Sequence, residues 1–285
     1  MRPYIVLPWL SGLSLLVAGL IVARRDLAAA RSLDKLVVLG PVFFAAPLAA
    51  FAGEHFTIPQ FIQQVIPAWI PARLFLVYFV GVALYAAATS FVFRRFLLLS
   101  ATLVALMFLV FVVIMHVPNA MRAGGRLPWT VALRDLSFGA GAAVLAGTLT
   151  SGWRQQRSSG MVTAGRVIVA IACVTFGVLQ IIHPAIAPGI PLQKMTPPWI
   201  PAASTWGYLT GAIEIVAGGL MLADKHTGST AAWLGLVVTL IIIVIYLPFV
   251  GVAVEGKDRL EALNYVWDTL LFAGTVLLAA RADAG

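Results

Sequence analysis

The residues of this chain that could do chemistry are a few histidines, tyrosines and acids in an apolar sequence, and most of them occur twice. Residues 67–118 and 197–248 correspond at a constant offset of 130 positions without gaps. The repeated set is His55, Trp69, Tyr78, His116 and Asp135 in the first copy, and His183, Trp199, Tyr208, Tyr246 and Asp268 in the second. Histidine, tyrosine and carboxyl groups can exchange protons with a bound molecule. A few such groups between apolar walls suit the head of a lipophilic ligand.

Glu214 is the strongest polar signal, because it is an acid deep inside an apolar stretch. At 1.5 Å per helical residue it lies roughly 20 Å into a bilayer, and Asp268 lies about 12 Å deep. Acids at such depths are neutral, are paired with a neighbour, or line a wet cavity. We expect Glu214 to share one ligand pocket with His183, Trp199, Tyr208, Tyr246 and Asp268. Hydrogen bonding between helices is the structural alternative.

Several of these residues also have a purely structural interpretation. Trp69 and Trp199 fit the aromatic belt at a membrane interface. A histidine at a helix end needs no ligand, and no close metal-ligand spacing is present, so we expect no metal site. Arg134 and Asp135 are sequence neighbours that we expect to point in different directions, each toward another helix. The one cysteine is expected to be a buried, inert thiol.

The elements that must position these residues are transmembrane helices. The chain of 285 residues is 61% hydrophobic and 11% charged, whereas an ordinary soluble domain is roughly 25% charged. Stretches of about 20 apolar residues can cross a hydrocarbon core. The sequence therefore predicts an all-α polytopic membrane protein with nine spans: 4–23, 36–53, 74–93, 96–117, 127–150, 165–182, 202–223, 229–254 and 260–280.

The distribution of charge indicates the orientation and the surroundings of the protein. The net charge of +8 comes from scattered Lys and Arg without a basic run, so we expect the lipid bilayer and no nucleic acid as a partner. With the N-terminus outside and the C-terminus inside, 11 basic residues lie inside and 8 lie outside. Such a bias is typical of the cytoplasmic side. We expect a bacterial cytoplasmic (inner) membrane.

The repeat and the nine spans together predict the domain organisation. Residues 1–35 form an N-terminal transmembrane helix with a basic inner loop, and 36–150 form a first, degenerate four-helix repeat. A hydrophilic linker at 151–164 joins it to a second repeat at 165–285. Four crossings return the chain to its starting side, so the repeats are parallel. Because Leu84 replaces Glu214 in the first copy, we expect the second repeat to hold the working pocket.

The second repeat resembles the DoxX-like integral membrane proteins. The resemblance rests on the PPWIP segment and on a T-G-x-x-E-x-x-x-G pattern formed by Thr210, Gly211, Glu214 and Gly218. It covers about residues 165–281, and 36–150 looks like a weaker copy. The resemblance implies four-helix membrane proteins, some associated with quinone-linked sulfur oxidation and others with partner-dependent redox complexes. It supplies no catalytic residues.

Three kinds of function remain open on the sequence. The first is a membrane subunit that binds a quinone or similar lipophile for a soluble or membrane redox partner. The chain carries no cofactor motif of its own, so electrons would come from elsewhere. The second is a transporter of a small amphipathic solute, and the third is a chaperone or scaffold for another membrane protein. Whether any reaction is catalysed stays open.

Overall fold

The computed structural model describes residues 3–150, 155–189, 194–253 and 256–284. Nine long helices are present in these ranges, and no strand is found there beyond an isolated bridge between Ile186 and Met195. The helices are α1 (Pro3–Ala29), α2 (Asp34–Thr57), α3 (Arg73–Phe93), α4 (Leu97–Ala123), α5 (Arg126–Thr148), α6 (Gln155–Ile182), α7 (Ala203–Leu222), α8 (Thr227–Val252) and α9 (Gly256–Ala279).

Seven of the described helices, all except α5 and α7, are long and apolar enough to cross a membrane. An α-helix satisfies its own backbone hydrogen bonds, which lipid requires of a spanning segment. The chain is therefore an all-α integral membrane protein. Helices α5 and α7 have 23 and 20 residues and are not among these seven. Length and apolar composition thus support seven spans, and the count of nine stays a prediction.

Two helices, α5 and α9, form the centre of the bundle. The last helix of each predicted repeat packs along the first helix of the other, α5 along α6 and α9 along α2, and α5 and α9 cross each other. Helix α1 packs on α2 outside this arrangement. In the most apolar segment of α9, 94% of the residues are buried, whereas in that of α4 only 22% are buried. Side chains on α5 and α9 are therefore enclosed by protein, and α4 faces outward.

Unusual backbone conformations recur at the offset of 130 positions. Left-handed non-glycine residues flank the second and third helices of each predicted repeat at Ala72, Arg94 and Phe96, and again at Ala202, Asp224 and His226. A wide π-helical turn interrupts α4 at Val112–His116 and α8 at Ile242–Tyr246. Each left-handed residue of this kind is costly for a side chain with a Cβ atom. Equivalent sequence positions thus adopt the same uncommon local structure.

The two proline-rich connections lie at one end of the bundle, which we call the loop end. The first, after α2, contains a short helix (Pro59–Ile62) and a 3₁₀ turn (Gln63–Val65). In the second, residues 190–193 lie outside the described residues. Their prolines disfavour a continuous helix, and the described parts of both connections contain no long helix.

The predicted linker at 151–164 falls partly outside the described residues, at 151–154. From residue 155 onward the chain is helical and belongs to α6. The hydrophilic stretch therefore extends the first helix of the second predicted repeat.

Candidate functional site

Arg134 of α5 lies at the centre of a buried group of ionisable side chains toward the loop end. Its Nε donates to Asp135 Oδ1 at 2.8 Å, and its Nη1 donates to Asp268 Oδ2 at 2.6 Å. His116 Nε2 lies 2.8 Å from the other oxygen of Asp135. We call Glu54, His116, Arg134, Asp135 and Asp268 the charge cluster. The bond from Arg134 to Asp268 joins the two central helices.

The third acid of the charge cluster is Glu54, in the last turn of α2, where it is 8% exposed. Asn264 of α9, with its amide nitrogen turned toward α2, donates to Glu54 Oε1 and to Leu260 O. Asp268, one helical turn beyond Asn264, acts on Glu54 through its charge. Within the described part of the chain no basic side chain pairs with Glu54. The cluster therefore combines three carboxyl groups with one guanidinium.

The two π-helical turns position the His116 and Tyr246 rings. Each turn adds a residue to the helical repeat and changes the direction in which the following side chains point. His116 ends the turn in α4 and reaches Asp135 of α5. Tyr246 ends the turn in α8 and is fully buried, with its ring stacked on Tyr265 of α9 at 5.4 Å. Both turns thus direct a polar ring toward a central helix.

Tyr246 of α8 and Tyr265 of α9 form a stacked pair of rings in the interior. Tyr265 lies three residues before Asp268 and therefore shares its face of α9. The Tyr246 hydroxyl is buried without a hydrogen-bond partner among the described residues.

Glu214 is buried on α7 beside Cys173 of α6. The structure gives its carboxyl no hydrogen bond or ion pair to any described residue. Its chain neighbour Ile213 lines an apolar groove of about 500 Å³ between α7 and α8, as does Ile245, the neighbour of Tyr246. We call this cavity the C-terminal groove. Two unpaired polar groups therefore adjoin residues that form its wall.

An equivalent groove lies between α3 and α4, and we call it the N-terminal groove. Its volume is about 580 Å³. Ten of the twelve residues that line the C-terminal groove have a counterpart in the N-terminal groove at the offset of 130, including Ile70, Phe79, Ala83, Met107, Val110 and Ile114. The two predicted repeats thus place the same kind of cavity between their second and third helices.

The structure brings together only part of the predicted pocket of the second repeat. Glu214 and Tyr246 lie near each other in the interior, and Asp268 lies in the charge cluster. Tyr208 is 50% exposed, and His183 and Trp199 are also exposed. The Trp199 ring packs edge-on against Phe249 at 5.4 Å. The last three residues therefore lie at the surface rather than with Glu214.

The predicted set of the first repeat divides in the same way. His116 and Asp135 lie in the charge cluster, whereas Trp69 is 74% exposed and Tyr78 stacks on Phe56 at the surface. His55 is half-buried, and its Nδ1 lies 2.8 Å from Phe51 O.

One detailed prediction for the first repeat was wrong. Arg134 and Asp135 do not point in different directions, because the long arginine side chain folds back to bond its neighbour. The expectation that each contacts another helix is confirmed, since Arg134 bonds Asp268 of α9 and Asp135 lies against His116 of α4. The residues gathered at the charge cluster come from both predicted repeats, since Asp268 belongs to the second.

Four polar residues of this interior were not selected from the sequence as site residues: Glu54, Arg134, Asn264 and Tyr265. Glu54 was missed because the predicted second span ended at residue 53, whereas α2 continues to Thr57. Asn264 and Asp268 are four residues apart and therefore share one face of α9. That spacing is the signal that could have revealed a polar face on this helix.

Among the described residues, no group of three or more His, Cys, Asp or Glu side chains is arranged to hold a metal ion. The polar interior offers hydrogen-bonding and proton-exchanging groups, and the grooves offer apolar walls. Glu214 and Tyr246 are buried behind the apolar wall of the C-terminal groove, each next in the chain to a residue that lines it. Comparisons with models of known protein families, with curated proteins and with solved structures gave no match for this chain.

Proposed function

We propose that this protein spans the membrane nine times, as two parallel four-helix halves (α2–α5 and α6–α9) preceded by α1. The recurrence of left-handed residues, π-helical turns and groove-lining positions at one offset supports a duplication. The lengths of α5 and α7 support their inclusion as spans. We also propose that the second half is related to the DoxX-like proteins. We place the protein in a bacterial cytoplasmic membrane with its N-terminus on the outer side.

We propose further that the protein is the lipophile-binding membrane subunit of an oxidoreductase system, with a quinone-type molecule in the C-terminal groove. One observation carries this proposal: an apolar groove whose wall adjoins a buried acid and a buried hydroxyl that both lack partners. Apolar walls with a few convergent polar groups are typical of sites for small lipophilic molecules. An isoprenoid tail would lie along the groove, and its head would reach the polar groups.

The chemistry of Glu214 and Tyr246 suits a quinone head. The Tyr246 hydroxyl can donate a hydrogen bond to a quinone carbonyl, and the Glu214 carboxyl can give or accept a proton there. A buried hydroxyl without a partner is unfavourable, and a ligand carbonyl would satisfy it. Electrons would come from a redox partner, since no cofactor motif occurs in the sequence.

The N-terminal groove lacks this chemistry. At the position equivalent to Glu214 it has Leu84, and at the position equivalent to Tyr246 it has His116, which pairs with Asp135. Its wall contacts apolar groups, so it suits a lipid chain without a reactive head. This difference supports assigning ligand binding to the second half.

Native mass spectrometry of the protein purified from its membrane tests the proposal. We expect a bound quinone-type lipid on the wild-type chain. Glu214→Leu, which introduces the residue of the first copy, should reduce its occupancy about fivefold, because one hydrogen bond in the site contributes roughly 1 kcal/mol. Glu261→Leu is the matched control, since Glu261 is partly exposed and pairs with Lys194. A wild-type protein that carries no such lipid, or full occupancy in Glu214→Leu, would contradict the proposal.

A further inference from the structure

The charge cluster is separate from the C-terminal groove, and its composition has a consequence of its own. Arg134 is bonded to both Asp135 and Asp268, so one guanidinium faces two carboxylates. Glu54 adds a third carboxyl group without a basic partner among the described residues. If all three acids were ionised and His116 neutral, the cluster would carry a net charge of −2 in a buried site.

A buried net charge of this size is unfavourable, because the interior of a membrane protein screens charge poorly. Two acids that face each other relieve their repulsion when one of them takes up a proton. Glu54 is the acid that can take up this proton, since no basic side chain of the described residues pairs with it. Its Oε1 accepts a hydrogen bond from Asn264, which lies one helical turn before Asp268 on the same face of α9.

The ionisable groups of the charge cluster other than Glu54 come from three helices. Helix α4 supplies His116, α5 supplies Arg134 and Asp135, and α9 supplies Asp268. The other ionisable groups toward this end of the neighbouring helices are Tyr4, His55, Arg73, Tyr78, Arg122, Arg126, Asp258, Arg259, Glu261 and Tyr265. The basic groups in direct contact with the cluster acids are thus Arg134 and His116.

We propose that the charge cluster is a proton-binding site in which Glu54 carries the exchangeable proton. Binding of one proton to Glu54 removes its repulsion with the ionised Asp268. His116 lies 2.8 Å from Asp135 and orients that carboxyl group. The proton on Glu54 halves the net negative charge of the cluster.

The position of Glu54 gives this proton a route to water. Glu54 lies in the last turn of α2, directly before the first proline-rich connection at the loop end. His116 is half-buried at the same end of the bundle. A proton can therefore enter from the loop end and reach Glu54 without crossing the apolar half of the bundle.

Infrared difference spectroscopy of the protein in lipid nanodiscs, recorded between two pH values, tests this site. Wild-type protein should show the stretching band of a protonated carboxyl group, with the small shift that exchange into D₂O produces. Glu54→Gln should lower the intensity of that band by the contribution of one carboxyl group. Glu261→Gln is the control at the same end of the bundle and should leave the band unchanged, because Glu261 is partly exposed and paired with Lys194.

Glu54→Asp is a second test variant for the case in which Glu54→Gln does not fold. It keeps a carboxyl group in the last turn of α2, and it should move the band to the position of an aspartic acid. The proposal is overturned if the wild-type protein has no protonated carboxyl band, or if the band is the same in wild type, Glu54→Gln and Glu54→Asp. It is also overturned if only Glu214→Gln removes the band.

Discussion

Replacing Arg134 by methionine tests the charge cluster as a structural element of the bundle. The substitution removes the cation that holds Asp135 at 2.8 Å and Asp268 at 2.6 Å, and both side chains are almost buried. At these distances and an effective dielectric constant of 20, each contact has a Coulomb energy of about 6 kcal/mol. Desolvation of the charges offsets part of this energy.

The net cost of Arg134→Met follows from what it leaves behind. Removing one partner of a buried ion pair costs about 3–5 kcal/mol, because the remaining charge stays buried and unpaired. Polar contacts between transmembrane helices contribute less than this on average, since the unfolded chain in the membrane also finds partners. We therefore expect a loss of about 3 kcal/mol in the free energy of unfolding at neutral pH. The loss should become smaller at lower pH, because protonation neutralises the orphaned carboxylates.

Reversible unfolding in bicelles, monitored by steric trapping, measures this loss of free energy. Arg122→Met is the matched control, since Arg122 is exposed at the end of α4 and its Nε donates to the backbone of Pro118. A change within about 0.5 kcal/mol is expected for such a surface position. An Arg134→Met variant that unfolds with the same free energy as Arg122→Met would refute the reasoning.

The remaining predictions concern helix packing and the end of the bundle opposite the loop end. Gly211→Ala should cost about 1–3 kcal/mol in unfolding, because its new Cβ atom would lie 2.7 Å from the backbone oxygen of Gly177. Gly219→Ala on the same helix should be neutral or slightly stabilising, since a Cβ atom at that position would lie in open space. Equal losses of stability in the two variants would contradict the packing of α6 on α7. Arg166→Met should cost about 1 kcal/mol, less than Arg134→Met, because its partner Asp224 is exposed and stays solvated. A loss as large as that of Arg134→Met would argue against this distinction.

The helices could be predicted from the sequence because their signal is local. Apolar stretches of about 20 residues predict helices wherever water is absent. Each of the nine stretches lies along a helix of the described chain and extends past it by at most two described residues at either end. The end of α2 was placed too early because hydropathy falls at Glu54. The helix continues there since the backbone still bonds itself, with Ile58 N donating to Glu54 O at 2.8 Å.

The charge cluster could not be predicted because its contacts are not local. Arg134 and Asp268 lie 134 positions apart, and their bond depends on how α5 and α9 cross. Neighbouring residues on a helix point about 100° apart, which led to the expectation that Arg134 and Asp135 diverge. A long flexible side chain overrides that geometry.

The most direct test of lipophile binding compares two substitutions that fill the two grooves. Ile213→Trp fills the C-terminal groove, and Ala83→Trp fills the N-terminal groove at the equivalent position. We predict that Ile213→Trp abolishes the quinone-type lipid detected by native mass spectrometry, while Ala83→Trp retains it. Loss of that lipid in Ala83→Trp alone, or equal occupancy in both variants, would contradict the assignment of the ligand to the groove between α7 and α8.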